Sequence, residues 1–176
     1  MKMLYLVRHC SATGQAADAD LSESGFEEAE KLAAFFSRIL IENIISSPFK
    51  RAQDSIKPTA NAKNLPLTID DRLAERTLST SNLPNWLELL EETFHNLDLK
   101  LTGGESSREA TSRAIEVINE APNNTILVTH GNLMSLMLKH FDDSIGFQEW
   151  KSLRNPDVYT ITIDDDGSNF EQLWKG

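Results

Sequence analysis

Thr125-Ile126-Leu127-Val128-Thr129-His130-Gly131-Asn132 joins the clearest strand signal in the chain to a histidine and a glycine. Leu133, Leu136, Met137 and Leu138 follow at helical spacing, so the histidine stands where a strand hands over to a helix. The same pattern recurs upstream. Leu4 to Val7 is a short unbroken apolar run, the style of a strand buried on both faces of a parallel sheet, and it ends in Arg8-His9-Cys10. Ile44-Ile45 runs into Ser46-Ser47-Pro48, a cap residue followed by proline at the first helical position, with Arg51 one turn on. That helix is expected to reach about Ala60, with Pro58 near its end. Leu67 to Ile69 is a further candidate strand.

Helices fill the intervals. Ser22 is a plausible N-cap for a helix whose apolar face holds Phe26, Ala29, Leu32, Ala33, Phe36, Ile39 and Leu40. A second covers residues 83–94, with Trp86, Leu87, Leu90 and Phe94 on one face, and a third covers 106–120, with Ala110, Ala114, Ile115 and Ile118 inward. Val158 to Ile163 and Phe170 to Trp174 flank Asp164-Asp165-Asp166-Gly167 as a hairpin. Strands alternating with helices give an α/β fold, a mostly parallel sheet with helices on both faces and a C-terminal antiparallel hairpin. In such sheets the site lies beyond the carboxyl ends of the strands. Arg8, His9, Arg51 and His130 are therefore expected at one edge.

The bulk composition narrows the partners. The chain has 176 residues, 40% hydrophobic and 25% charged, which fits one soluble globular domain over 1–176. Lys and Arg number 17 against 27 Asp and Glu, a net charge of −10, which disfavours nucleic acid and anionic membrane surfaces. No apolar run approaches the roughly 18 residues of a membrane span. The single cysteine, Cys10, allows no internal disulfide, and the first apolar stretch is too short for a signal peptide, so a reducing, cytoplasmic location is expected. Oligomeric state stays open. Asn123-Asn124-Thr125 reads as a turn, and His95 and His140 read as surface residues. Gly103-Gly104-Glu105 lacks the Lys-Ser or Lys-Thr of a phosphate loop and is expected to lead into the helix near Ser106. Asp164 to Gly167 lacks calcium-loop spacing, and the position six after Cys10 is Ala16, so no Cys-x5-Arg loop exists.

Two guanidiniums and two imidazoles around one pocket suit a phosphoryl group, because the planar fork of Arg matches phosphate oxygens. Helix N-termini after Ser47 and His130 could add backbone N–H groups. A neutral histidine can attack phosphorus, and neighbouring arginines lower its pKa. They also neutralise the phosphoryl charge, so no metal or other cofactor is required. A leaving alkoxide needs a proton, and Glu75, in Asp71-Arg72-Leu73-Ala74-Glu75-Arg76, is the candidate acid.

Leu6-Val7-Arg8-His9-Cys10, Ser46-Ser47-Pro48-Phe49-Lys50-Arg51-Ala52, Glu75 and Val128-Thr129-His130-Gly131-Asn132 together resemble the histidine phosphatase superfamily, the phosphoglycerate mutase-like proteins. The resemblance implies a three-layer α/β/α fold. It implies that His9 is the phosphorylated nucleophile, that Arg8, Arg51 and His130 bind the transferring group, and that Glu75 is the proton donor. Gln15 and Gly131 complete the expected substrate-binding set. Departures from the family pattern are Cys10 in place of glycine, Ala12 in place of Ser or Thr with hydroxyls at Ser11 and Thr13 instead, Gln15 in place of asparagine, and no glycine after Glu75. The expected activity is metal-independent hydrolysis of a small phosphomonoester. The alternatives are a phosphoglycerate mutase, for which the chain has little material for a lid, a phosphoprotein phosphatase, and a non-catalytic binder of phospho-ligands. The rest of the substrate would be read around 76–86 and 155–159.

Overall fold

The computed structural model describes residues 1–176. Six strands, β1 (Lys2–Arg8), β2 (Asn43–Ser46), β3 (Leu67–Ile69), β4 (Thr125–Thr129), β5 (Asp157–Asp164) and β6 (Gly167–Gln172), form one sheet in the order β3-β2-β4-β1-β5-β6. β1 to β4 run parallel; β5 is antiparallel to β1, and β6 to β5. The helices are α1 (Glu23–Phe36), α2 (Lys50–Lys63), α3 (Trp86–His95), α4 (Ser107–Glu120), α5 (Gly131–Phe141) and α6 (Phe147–Ser152).

The pleat of β1 explains the layers. Tyr5 and Val7 point to one side, into a core shared with Ala29, Leu32 and Phe36 of α1 and Ala52 and Ile56 of α2. Leu4 and Leu6 point to the other, into a core built with α3, α4, α5 and Phe147. β4 is buried at every position, as a central parallel strand covered on both faces must be. The result is the expected α/β fold with its C-terminal antiparallel pair.

Several boundaries and faces differ from the sequence reading. In α1 the inward stripe is Gly25, Ala29, Leu32 and Phe36, and Phe26 is 51% exposed. Gly25 holds that inward place because a Cβ there would lie 2.0 Å from the Ser11 carbonyl oxygen. The helix stops at Phe36, which leaves Leu40 exposed. α3 likewise turns Leu90, Thr93 and Phe94 inward and leaves Trp86 and Leu87 exposed. α2 starts at Lys50 with Phe49 as its N-cap, not at Pro48, because the Ser47 hydroxyl faces His130 and takes the Phe49 N–H before the helix begins. It runs past Pro58 to Lys63 and closes on Asn64 in the left-handed region at φ 55°. The capping box of Ser106 and Glu109 starts α4. No helix is long and apolar enough to cross a membrane.

The carboxyl ends of β1, β2 and β4 meet at one edge. The His9 N–H donates to the Thr129 carbonyl at 3.1 Å, and the Ser47 N–H to the Val128 carbonyl at 2.9 Å. Since β5 is antiparallel to β1, its start lies there too, with Asp157 opposite Arg8.

Candidate active site

That edge holds a cavity of about 270 Å3 lined by Arg8, His9, Ser11, Ala12, Gln15, Glu75, Gly131 and Asn155. A larger groove of about 520 Å3 between α4 and α5, edged by Ile115, Leu136 and His140, contains none of the expected residues. In the cavity, His9 Nδ1 lies 2.7 Å from its neighbour's carbonyl, that of Cys10. A carbonyl only accepts, so Nδ1 carries the proton and Nε2 the lone pair. Arg51 Nε donates to that Nε2 at 3.3 Å. Burial pushes the His9 pKa down to about 4, with Arg51 and Arg8 adding to the effect and the Cys10 carbonyl opposing it. The leading cause is thus desolvation, not the arginine charges that the sequence reading emphasised.

His130 packs behind His9, with ring centroids 5.1 Å apart, and its other flank meets Phe49 at 4.9 Å. Its Nε2 lies 2.7 Å from Ser47 Oγ. That hydroxyl already accepts from the Phe49 N–H at 3.2 Å, so its own proton is free to donate to Nε2, and the ring proton then sits on Nδ1. Buried Nδ1 has no protein partner. Burial, and then the proximity of His9, Arg51 and Arg8, lower the His130 pKa to about 2.

Arg51 is fully buried, with Nη1 donating to the carbonyls of Gln15 at 3.2 Å and Ala16 at 2.9 Å, so the 11–19 loop folds over it. Arg8 Nη1 donates to the carbonyls of Leu153 at 3.0 Å and Arg154 at 3.3 Å, while its buried Nε has no partner. Gly131 lets Arg8 approach: a Cβ there would stand 2.8 Å from Arg8 Cζ. Arg8 lines the cavity, whereas Arg51 and His130 stand buried behind the lining against the His9 ring; together the two guanidiniums and the unpartnered Arg8 Nε and His130 Nδ1 surround a neutral imidazole with donors of the kind that suit a tetrahedral oxyanion. No group of three or more His, Cys, Asp or Glu side chains gathers into a set that could hold a metal ion.

Glu75 joins the cavity in an arrangement the sequence did not suggest. Its Oε2 accepts from the Asn132 N–H at 3.0 Å, and Oε1 from the Leu133 N–H at 2.9 Å and the Arg76 N–H at 2.8 Å. The N-terminus of α5, expected to face a phosphoryl group, thus faces this carboxyl instead. Burial raises the Glu75 pKa, and the three N–H donors and Arg8 oppose that rise. Gln15 sits exposed at the mouth.

Other participants were less visible in the sequence. Ser11 lines the cavity and is held by Glu28 of α1, which accepts from its N–H at 2.8 Å and its hydroxyl at 3.0 Å. Ser55, one turn after Arg51, accepts from the Cys10 N–H at 2.7 Å and donates to the Arg51 carbonyl at 2.6 Å. Of the two stretches expected to read the substrate, Asn155 lines the cavity and donates to the His9 carbonyl at 3.0 Å. Arg76 points away into a buried network, and Tyr159 lies within β5. Cys10 is wholly buried in the core beside α1 and α2, and burial pushes its thiol up to about 12, far from a thiolate nucleophile.

Fold and pocket together define a class: an α/β protein with a histidine-centred oxyanion pocket at the carboxyl edge of its sheet. Its sequence places it more narrowly. Residues 4–175 match the model of the histidine phosphatase superfamily (branch 1), and the chain belongs to that family. It is 27% identical over 181 residues to a 2,3-bisphosphoglycerate-dependent phosphoglycerate mutase of Thermoplasma acidophilum, covering 93% of this chain and 88% of that one. It is 38% identical over 82 residues to phosphoserine phosphatase 1 of Hydrogenobacter thermophilus, 43% of this chain and 39% of that one. A relative from Schizosaccharomyces pombe, 26% identical over 153 residues, is matched over 76% of this chain and 54% of its own length, so the chain spans about half of that protein. Among solved structures, YhfR of Bacillus stearothermophilus superposes with a TM-score of 0.77 at 20% identity, over 96% of this chain and 95% of that one. A mycobacterial glucosyl-3-phosphoglycerate phosphatase superposes at 0.73 and 18%, over 98% and 97%. These two structures establish the shared fold.

Proposed function

We propose that residues 1–176 act as one catalytic unit, a phosphoric monoester hydrolase that works through a phosphohistidine on His9 without a metal. His9 Nε2 attacks phosphorus in line, forming the N–P bond as the ester P–O bond breaks. Arg8, Arg51 and the His130 Nδ1–H hold the equatorial oxygens, with Gly131 leaving room for Arg8 and Gln15 contacting the substrate at the mouth. Glu75 gives its proton to the leaving oxygen, then takes one from the water that breaks the N–P bond, which restores His9 and releases phosphate. The observation that carries this reading is the Nδ1–H bond to the Cys10 carbonyl, which leaves the Nε2 lone pair beside Arg51.

A cavity of about 270 Å3 suits a phosphoryl group with a small leaving group, and the relatives whose names specify a substrate act on small phosphorylated compounds. The acidic balance of −10 argues against nucleic acid. A chain of this size with a single cysteine suits a reducing compartment, and we place it in the cytoplasm.

The test is phosphate release from a panel of phosphomonoesters, with quenching in alkaline detergent to trap an alkali-stable phosphoenzyme that later acid treatment cleaves. His9→Ala should abolish both signals. Turnover that survives His9→Ala would overturn the reading. Phosphoglycerate interconversion dependent on a bisphosphate primer, without net phosphate release, would replace hydrolysis by transfer.

A further inference from the structure

The turn Gly103-Gly104-Glu105 and Arg113 of α4 lie outside the cavity lining, yet their polar atoms end on the segment that carries Glu75. Glu105 Oε1 accepts from Arg113 Nε at 2.9 Å and Nη2 at 2.8 Å. Held there, Arg113 Nη1 donates to the carbonyls of Arg72 at 2.5 Å and Ala74 at 2.9 Å, and Nη2 reaches the Glu75 carbonyl at 3.5 Å. The carbonyl between them, that of Leu73, accepts from Thr129 Oγ1 at 2.8 Å. Residue 76 is tied to the same turn: buried Arg76 donates through Nε and Nη2 to the Glu105 backbone carbonyl at 3.1 and 2.9 Å. The Glu105 N–H closes the loop on the Thr77 carbonyl at 2.9 Å.

The glycines make this approach possible. Gly103 has φ +69°, and a Cβ on Gly104 would stand 2.1 Å from the Leu78 carbonyl oxygen. A turn with side chains could not lie flush on residues 77–80, and Glu105 would not reach Arg113.

The geometry points to Glu105 and Arg113 as positioning residues for the Glu75 proton donor. This rests on the reading of Glu75 as that donor. Burying the Arg76 guanidinium and partly burying that of Arg113 costs desolvation that an apolar packing would avoid, so stability alone is a poor reason for them. Arg113 pins the carbonyls of Arg72, Ala74 and Glu75, with Thr129 on that of Leu73 between them, a directional clamp that apolar packing cannot give. It sets the segment in register with α5, so that the Glu75 carboxyl meets the Asn132 and Leu133 N–H groups beside the nucleophile. Without the clamp the carboxyl moves toward solvent and misses the leaving oxygen, while attack by His9 proceeds.

The experiment separates these steps by leaving group. Phenyl phosphate needs a proton on its departing oxygen, and 2,4-dinitrophenyl phosphate does not. Glu75→Gln should lower kcat/KM on the first by about 100-fold or more and on the second by less than about threefold. Arg113→Lys and Glu105→Gln, each a conservative change, should reproduce the asymmetry at about tenfold. Inhibition by inorganic phosphate should stay within about twofold in both, showing an intact oxyanion pocket. Equal losses on both substrates, or no loss on either, would overturn the positioning role even when Glu75→Gln behaves as expected. An absence of asymmetry in Glu75→Gln itself would instead remove the proton-donor reading, and the positioning role with it. Thermal midpoints of the two variants keep folding defects apart from positioning defects.

Discussion

Replacing Gly131 by alanine puts one carbon where the Arg8 guanidinium already is. The new Cβ would lie 2.8 Å from Cζ, 2.8 Å from Nη2 and 2.9 Å from Nε. Non-bonded heavy atoms settle at about 3.5–4.0 Å, so the guanidinium must retreat by roughly 0.7–1.2 Å. It is not free to do so, because Nη1 is tied to the Leu153 and Arg154 carbonyls at the head of β5. Misplacing a binding group by about 1 Å can cost about 100-fold in rate, equivalent to about 3 kcal/mol of transition-state stabilisation. The folded state fares better, since alanine gains up to about 1 kcal/mol over glycine in a helix, against an overpacking cost of about 1–3 kcal/mol. Gly131→Ala should therefore fold with a modestly lowered thermal midpoint and lose 30- to 100-fold in kcat/KM, roughly what a misplacement of that size implies. The assay is phosphate release from phenyl phosphate alongside circular-dichroism melting. A variant within about threefold of the parent in kcat/KM would refute the argument that Arg8 needs its present position.

Activity should fall in acid as His9 Nε2 gains a proton, with the kcat/KM limb near pH 4; a limb at the ordinary histidine value of about 6.5 would show an unburied ring. Stability should follow the same groups. His9 and His130 titrate in the fold at about 4 and about 2, below the unfolded value, so the unfolded chain binds protons first and the urea midpoint should drop as pH falls below about 6.5. A midpoint flat from about pH 7 to about pH 5 would contradict this. Ser47→Ala leaves His130 Nε2 buried without a partner, at a cost of about 1–3 kcal/mol, and should reduce turnover in step with a loosened ring; an unchanged denaturation midpoint would count against the bond. Prolonged dialysis against a chelator should leave phosphatase activity within about twofold, since the arginines supply the positive charge; loss restored by a divalent cation would refute that.

Arg8, His9, Arg51 and His130 were readable because each stands within a few residues of a strand's carboxyl end, where topology alone fixes the address. Ser11, three residues past β1, shares that address, and what the sequence hides is its anchor on Glu28 of α1. Asn155 has no such rule, since it precedes its strand and reaches the cavity only because β5 runs antiparallel beside β1. The helix faces slipped for a different reason. Gly25 in α1 carries no apolar signal, yet it takes the inward place because nothing larger fits against Ser11. Ser47 reads as a cap from its neighbours, and only the fold shows that a histidine 83 positions away competes for its hydroxyl.

β1 sits between β4 and β5, so Leu4 pairs with Thr125 on one side and Ile161 on the other. A ribosome builds the strand leading into His9 long before either of its neighbours. At about 5–20 residues per second, that strand spends on the order of ten seconds with two open edges. Such long-range pairing slows folding and leaves an apolar template available for unwanted partners. Chaperone capture during translation would guard β1, the strand that leads into His9.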